Sequence, residues 1–419
     1  MRVLWLCSTP GLGASHLGAS PALVGGWIAA LEEALGQIDD LHLSLAFPWD
    51  VKELRRISAE RRDYLPFPRY PRGGRLRRAL FDHSCRLEPE SELRHLDRAV
   101  ELTRPDLIHV WGTEGFYGQI VERTELPVLI EIQGIRTQYT AAYFSGLSAG
   151  DLLRHGSPSR LLAGRSLLHR YVRYRRSARR ERRILASARF VSGRTDWDRR
   201  TCAALAPQAR YFHCDRVLRR PFCRGHWSPR DANGPLWLVS TLRGNAYKGI
   251  ETIWRCAELL RRLWPAGVRW TLVGVRRGEE IVRVVEGTTG RRAESLDIRL
   301  AGRQPAEEVA TLLLESDIFV HPSHIDNSPN AVGEAMSLGV PVIATHVGGV
   351  PSLVENGRDG LLVPPGDPWA MAGAVLEVAR DGALAARLSE TARQRARTRH
   401  DPERVARTLV ENYRKMLAR

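Results

Sequence analysis

The chain has 419 residues, which is longer than the usual single domain of about 100–200 residues, so we expect two domains. Its hydrophobic content of 43% and charged content of 26% exclude a wholly disordered protein and a collagen-like fibre. The formal net charge of +16 rests almost entirely on arginine, since Lys52, Lys248 and Lys415 are the only lysines. Such a charge indicates an anionic partner, an anionic surface or an arginine-rich genome.

The cysteines and the first residues bear on location. Six cysteines are spread over the chain and none forms a Cys-x-x-Cys pair, which predicts reduced thiols and a cytoplasmic protein. Cys214, Cys223 and His226, with His213 nearby, offer zinc-ligand chemistry, but their spacing fits no compact finger and buried thiols are favoured. The first apolar run, residues 3–7, is too short for the hydrophobic region of a signal peptide and predicts a buried strand.

Strand-like and helix-like stretches alternate through the first part of the chain. This alternation predicts a parallel sheet covered by helices on both faces. The predicted strands are residues 3–7, 41–47, 107–111 and 127–132, and the predicted helices are 23–35, 93–102 and 115–122.

The middle of the chain is different, because residues 161–185 contain no strand-like run and predict one long basic helix. Ten arginines lie from Arg160 to Arg183. Two interpretations stay open: a solvated helix face, or a basic surface that docks on anionic membrane lipid or on a phosphate-bearing acceptor. A strand at 190–192 follows, and the turn-rich zone 213–235 is the predicted domain boundary.

The second half repeats the strand and helix alternation. The fold class is therefore α/β, with two doubly wound, Rossmann-like domains: 1–213, then 235–395, followed by a helical C-terminal segment, 396–419. The predicted strands are 236–239, 269–273, 297–300, 317–321 and 340–345, and the predicted helices are 250–263, 306–314, 329–338 and 368–378.

The loop after the strand 317–321 is the richest in chemistry. Ligands bind open α/β sheets at the carboxyl ends of their strands. Ser328 suits a helix N-cap, Pro329 the first helical position, and Gly339 the left-handed residue after the helix. The free backbone N–H groups of such a helix start bind anions, and nearby carboxylates accept hydrogen bonds from sugar hydroxyls. The alternative is a capped surface helix with solvated acids.

Asp326 and Glu334 bracket that helix start, and seven residues separate them. The segment 297–367 resembles the donor-binding half of retaining glycosyltransferases of the GT-B fold, family 4 (group 1 glycosyl transferases). Members carry two glutamates at this spacing. Here Asp326 stands in place of the first, one methylene shorter, and Glu334 is the second. The resemblance extends over 334–336, Gly339, 341–343, 348–349, 355–357 and 360–364.

A lysine and an arginine upstream extend the resemblance. Lys248-Gly249 follows the strand 236–239 and resembles the family's Lys-Gly, whose lysine neutralises the donor diphosphate together with an arginine five residues earlier. Arg243 has that spacing here, although the surrounding loop differs from the usual Gly-Arg sequence. The alternative for Lys248 is an exposed turn, because lysines are usually solvated.

The first domain carries a weaker resemblance. Gly25-Gly26 before a helix resembles the family's glycine-rich approach to the donor phosphate, with close packing as the alternative. His109 at the end of a strand resembles an acceptor-side residue, with structural packing as the alternative. Gln133 occupies a place where the family frequently has histidine, and it hydrogen-bonds but cannot titrate. Gly11-x-Gly13 lacks a third glycine, so NAD binding is not expected.

The resemblance implies two domains that face each other across a cleft and a set of donor-site residues. Asp326, Glu334 and Lys248 would be catalytic. The only Asp-x-Asp sequence, 196–198, lies in the first domain, so no metal and no further cofactor are expected. The expected donor-binding residues are Gly25, Gly26, Arg243, Lys248, Asn327, Ser328, Pro329, Asn330, Ala331 and Glu334.

The function implied is retaining, metal-independent, hexosyltransferase-type transfer of a sugar from a nucleotide diphosphate sugar to an acceptor. The acceptor expected is a sugar or lipid-linked precursor of a cell-envelope polysaccharide or glycolipid, handled in the cytoplasm or at the inner membrane face. The alternatives are a GT-B protein that does not transfer, such as a sugar-nucleotide epimerase or an inactive scaffold, and a glycosyltransferase for small molecules. Nucleic-acid binding lacks a recognisable module.

Overall fold

The computed structural model describes residues 1–18, 26–59, 61–71, 74–230 and 234–418. The chain forms two compact units. Unit 1 comprises the described residues of Met1–Thr140, Val172–Val217 and His400–Arg419, and unit 2 those of Ala141–Tyr171 and Leu218–Arg399.

The division after Val217 falls inside the turn-rich zone 213–235. The segment 141–171, which the sequence assigns to the first domain, belongs to unit 2. The physical reason is burial, because Leu147, Leu152 and Leu167 pack into the hydrophobic core of unit 2.

Unit 1 is built on an eight-stranded sheet in the order β3-β4-β2-β1-β5-β6-β7-β8. All neighbouring pairs are parallel except β3 with β4. The strands are β1 (Arg2–Leu6), β2 (His42–Trp49), β3 (Ile57–Ala59), β4 (Arg62–Pro68), β5 (Leu107–Trp111), β6 (Val128–Glu131), β7 (Phe190–Gly193) and β8 (Arg210–His213).

The helices of unit 1 lie between these strands and at the end of the chain. The predicted helix 115–122 is a 3-10 helix, Tyr117–Glu122. The long basic helix is present and begins in unit 2. The α-helices are α1 (Trp27–Leu35), α2 (Arg75–Ser84), α3 (Arg94–Thr103), α4 (Arg136–Ala141), α7 (Leu167–Ser187), α8 (Asp196–Leu205) and α15 (Pro402–Leu417).

Unit 2 has a six-stranded, fully parallel sheet in the order β11-β10-β9-β12-β13-β14. Counted from β9, this is the order 3-2-1-4-5-6 of dinucleotide-binding folds. The strands are β9 (Leu236–Thr241), β10 (Val268–Val273), β11 (Ile298–Gly302), β12 (Ile318–His321), β13 (Val342–Thr345) and β14 (Leu361–Val363).

The helices of unit 2 enclose that sheet. Its apolar core includes Trp254, Trp270 and Phe319, each almost fully buried. The α-helices are α5 (Ala149–His155), α6 (Pro158–Leu162), α9 (Ile250–Leu263), α10 (Glu280–Thr289), α11 (Ala306–Leu314), α12 (Asn330–Leu338), α13 (Pro368–Arg380) and α14 (Gly382–Arg399). None of the helices in the described ranges has both the length and the hydropathy to cross a membrane.

The predicted α/β class with two Rossmann-like, parallel sheets is confirmed. The strand β4 was missed because Pro66 and Pro68 argue against a strand inside a sheet. Because backbone groups alternate in direction along a strand, the nitrogens of both prolines face the side of β3. β3 pairs only with Arg62–Tyr64, so neither proline removes a hydrogen bond between strands.

Candidate functional site

The candidate site lies where the strand order of unit 2 reverses. β9 pairs directly with β12, and the loops that follow them therefore leave the sheet side by side. Such a reversal point is the usual ligand site of an open α/β sheet. Gly249, with a φ of +69°, allows the approach of the two loops, because a β-carbon there would collide with the carbonyl oxygen of Pro322.

Three charged or titratable side chains meet in these loops. The Lys248 Nζ atom lies 2.5 Å from the Oδ2 atom of Asp326, and the His321 Nε2 atom lies 3.1 Å from the same oxygen. Burial alone would raise the pKa of Asp326, but Lys248 and His321 outweigh it and hold that pKa below its usual value. Asp326 is therefore an ionised carboxylate that shares the charge of Lys248.

The backbone fixes the position of Asp326. Its Oδ1 atom accepts a hydrogen bond from the Asn327 N–H at 3.1 Å, and its carbonyl accepts one from the Gly349 N–H at 3.0 Å. Gly348, with a φ of +50°, brings its loop against that carbonyl, where a β-carbon would not fit. The carboxylate is thus held before any ligand binds.

Glu334 forms a second charged pair, with Arg219. The Arg219 Nε and Nη2 atoms lie 2.9 and 2.8 Å from the Oε1 atom of Glu334. Burial raises the pKa of Glu334 to about 7, although Arg219 opposes the rise. Both contacts go to one oxygen, so Oε2 has no donor among the described residues. The guanidinium of Arg219 also lies 4.7 Å from the ring of the buried Phe222, which positions it.

The helix that carries Glu334 starts one residue later than predicted. Pro329 is the N-cap of α12, so the assignment of the cap to Ser328 is wrong by one residue. The prediction for Gly339 is confirmed, because it ends the helix with a φ of +78°. Four of the expected donor-binding residues at this helix start keep part of their surface accessible: Ser328, Pro329, Asn330 and Ala331.

Arg243 lies exposed in the loop after β9, with no side-chain hydrogen bond or ion pair among the described residues. The loop itself is held by Arg170, whose Nη1 atom donates to the Gly244 carbonyl at 2.7 Å and to the Asn245 side-chain oxygen at 2.6 Å. The first turn of the basic helix α7 therefore supports the loop that ends in Lys248.

His109 is fully buried within unit 1. Its Nδ1 atom lies 2.6 Å from the hydroxyl of Tyr413, and its ring stacks on Trp111 with centroids 3.9 Å apart. Burial lowers the pKa of His109 well below its usual value, so the ring is neutral at physiological pH. These contacts fit the packing alternative given for this residue.

The other expected residues of the first domain are Gln133, Gly26 and Gly25. Gln133 follows β6, is half-buried, and its carbonyl accepts a hydrogen bond from Arg194 at 3.3 Å. Gly26 caps α1, and a β-carbon there would meet no heavy atom of the described residues within 4 Å, so close packing does not require this glycine. Gly25 lies outside the described residues.

The two carboxylates of the Asp-x-Asp sequence have separate local roles. Asp198 completes a capping box with Thr195 at the start of α8 and accepts a hydrogen bond from the Tyr211 hydroxyl at 2.6 Å. Asp196 is exposed and pairs with Arg199 at 3.2 Å. Among the residues that the structure describes, no three His, Cys, Asp or Glu side chains are grouped as a metal site requires.

Residues 236–381 match the family model described as glycosyl transferases group 1. Unit 2 carries a group 1 glycosyl transferase domain. The matched range includes Lys248, Asp326 and Glu334, whereas Arg219, the partner of Glu334, lies before it.

Two relatives show the range of similar proteins. The chain is 32% identical over 163 residues to a putative colanic acid biosynthesis glycosyltransferase, WcaL, of Salmonella typhimurium, covering 37% of this chain and 39% of the relative. It is 35% identical over 162 residues to D-inositol 3-phosphate glycosyltransferase of Corynebacterium urealyticum, covering 38% of each. The matches thus span about two fifths of the length of these relatives.

Solved structures resemble the whole chain. Sucrose-phosphate synthase of Thermosynechococcus elongatus superposes with a TM-score of 0.70 at 18% identity, covering 100% of this chain and 99% of that one. HepE of Anabaena, solved with UDP, gives 0.62 at 16% identity over 99% and 100% of the two chains. These likenesses confirm the predicted GT-B fold, and the family-model match confirms the group 1 resemblance for residues 236–381.

Sequence reasoning missed three residues that the structure brings to this site. Arg219 lies far from Glu334 in sequence, inside the turn-rich zone taken as a linker. Arg170 was one of many arginines in a basic helix. His321 ends a predicted strand, and no local pattern distinguishes it from a packed core residue.

Proposed function

We propose that this protein transfers a sugar from a nucleotide diphosphate sugar to an acceptor, with retention of anomeric configuration. The observation that carries the proposal is the placement of a lysine, two carboxylates and a helix start at the strand-order reversal of a group 1 domain. A solved neighbour, HepE, binds UDP-glucose, which supports a nucleotide sugar as the donor class.

Lys248 would neutralise the diphosphate, together with Arg243 and the N-terminus of α12. Departure of the nucleoside diphosphate places negative charge on its oxygens, and preorganised donors stabilise that charge. Lys248 has three N–H donors, so it can keep Asp326 as one partner and turn the others to a diphosphate. Because lysine and arginine supply the positive charge in this scheme, the proposed transfer needs no metal.

The two carboxylates would bind the hydroxyl groups of the donor. Glu334, with Oε2 open to a donor, suits the ribose hydroxyls, and Asp326 suits hydroxyls of the transferred sugar. The C–O bond between the sugar and the diphosphate breaks, the acceptor oxygen forms the new bond, and the acceptor proton passes to the departing diphosphate.

The proposed acceptor is a sugar or lipid-linked precursor of a cell-envelope polysaccharide or glycolipid. Similar proteins are named for colanic acid and amylovoran biosynthesis, which supports this class. The proposal places the protein in the cytoplasm, where nucleotide sugars are made.

The test is to incubate the protein with a panel of UDP-, GDP-, ADP- and TDP-sugars and to measure turnover as release of the nucleoside diphosphate. NMR of the product reports its anomeric configuration. Lys248→Ala and Glu334→Ala are expected to lose turnover, and Lys52→Ala is the matched control because Lys52 is an exposed lysine elsewhere. An inverted product would refute retention, whereas no release of diphosphate from any donor would refute transfer and favour a scaffold.

A further inference from the structure

A small tip of unit 2 exposes three leucines. Leu153 on α5 is 63% exposed, and Leu161 and Leu162 on α6 are 38% and 81% exposed. These two short helices follow one another in the chain, and we call residues 153–165 the leucine tip. Exposed leucines grouped in this way mark an interaction site more often than isolated ones do.

The leucine tip is firmly attached to unit 2. The flanking residues Leu152 and Leu167 are buried in the hydrophobic core. The carboxylate of Glu280 accepts hydrogen bonds from the Ser157 N–H at 3.4 Å and from the Leu167 N–H at 2.8 Å, which ties both sides of the tip to α10. The exposure of the leucines is therefore built into a held segment.

The charged side chains within the tip itself are all positive, and Glu280, which holds the tip from α10, is buried. Arg154, Arg160 and Arg165 lie among the leucines, and residues 152–180 contain no aspartate or glutamate. The nearest acid before this stretch, Asp151, is engaged in the capping box of α5. A surface of exposed leucine and arginine is complementary to an anionic one.

Three arginines farther along α7 are engaged in ion pairs. Arg173 pairs with Asp82 at 3.3 Å, Arg180 with Glu88 at 2.9 Å and Arg183 with Glu122 at 3.0 Å. These pairs engage part of the long helix, whereas the exposed leucines lie in the leucine tip.

We propose that the leucine tip docks this protein on the surface of a bilayer that contains anionic phospholipid. The leucines enter the boundary between headgroups and acyl chains, and the arginines pair with lipid phosphates. A nucleic acid would not require exposed leucines, and residues 153–165 contain no Phe, Tyr or Trp for base stacking. A stable protein interface buries about 800 Å² on each partner, more than three leucines supply.

Vesicle co-sedimentation tests the docking without any nucleotide sugar, so its outcome is separate from that of the proposed transfer. The full chain should bind vesicles of phosphatidylglycerol and phosphatidylcholine, and binding should weaken with salt. Arg154→Gln should weaken it about fivefold, as expected for one arginine near an anionic surface. Leu161→Ser/Leu162→Ser should abolish most of the binding.

Leu263→Ser is the matched control, because Leu263 is 44% exposed beside two arginines but lies outside the tip. It should bind vesicles as the unaltered chain does. Unchanged thermal unfolding of the double variant would show that it folds. Equal vesicle binding by the double variant, or binding that phosphatidylcholine alone supports, would overturn the proposal. So would a dimer of this chain that the double variant loses while no vesicles bind.

Discussion

Substitution of Arg219 by glutamine should change the protonation of Glu334. An opposite charge near a carboxylate lowers its pKa by about 1–3 units, so loss of the guanidinium should raise the Glu334 pKa by about that amount. Because this pKa is already about 7 with Arg219 in place, the variant should hold Glu334 protonated at neutral pH. A neutral carboxyl loses a charge-assisted hydrogen bond to a ribose hydroxyl, worth about 1.5–3 kcal/mol.

The assay is calorimetric titration of a nucleoside diphosphate at a series of pH values. In the unaltered chain the affinity should fall as the pH drops through about 7, because Glu334 takes up a proton. In Arg219→Gln the fall should occur about 1–3 pH units higher, with a loss of about tenfold to a hundredfold at neutral pH. Arg219→Lys should restore part of the shift.

Arg224→Gln is the matched control, since Arg224 is an exposed arginine close by in sequence. A pH midpoint of nucleotide binding in Arg219→Gln equal to that of the unaltered chain would contradict the role given to Arg219. If the unaltered chain binds no nucleoside diphosphate at any pH, the proposed donor site itself is wrong. This outcome is distinct from an error in the role of Arg219 alone.

Three further predictions follow from the contacts described. Lys248→Ala should lower kcat by about a hundredfold to a thousandfold, as removal of one preorganised donor does, whereas Lys52→Ala should not, and steady-state kinetics measures both. Gly249→Ala should abolish nucleotide binding or lower the Tm, because the φ of +69° at Gly249 and the Pro322 carbonyl exclude a side chain. The control Gly278→Ala, where a side chain meets open space, should do neither, and a thermal-shift assay with and without nucleotide measures both variants. Asp63→Asn should destabilise the chain above about pH 4. Burial would raise the pKa of Asp63, but hydrogen bonds from neighbouring side chains outweigh it and lower that pKa to about 2. The stability that these bonds add is lost as the pH falls through that value, and an acid-unfolding titration measures the loss.

The sequence predicts five of the six strands of unit 2, because their apolar runs are continuous and their breaks are marked by glycine and proline, but it misses the strand Leu361–Val363 and the helix Glu280–Thr289. The helix Ile250–Leu263 begins and ends where the pattern predicts. The strand Arg62–Pro68 was missed because prolines are unusual inside a sheet. The prolines are tolerated because the neighbouring strand β3 is too short to pair with them.

The candidate site likewise contains residues that the sequence predicts and residues that it does not. Asp326, Glu334 and Lys248 come from local motifs, so the sequence predicts them, and the structure brings Lys248 to Asp326. Arg219 reaches Glu334 only through the tertiary fold, and no spacing rule connects residues so far apart. The segment 141–171 belongs to unit 2 because of its buried leucines, and their partners cannot be inferred from its own pattern.

Unit 2 is proposed to hold a donor site for a nucleoside diphosphate. The most direct measurement is calorimetric titration of UDP, GDP, ADP and TDP into the unaltered chain, Lys248→Ala, Glu334→Ala and Lys52→Ala. We expect saturable binding of one nucleotide by the unaltered chain and by Lys52→Ala, and loss of that binding in Lys248→Ala and Glu334→Ala. Equal binding by Lys248→Ala and Glu334→Ala, or no binding of any diphosphate, would contradict it.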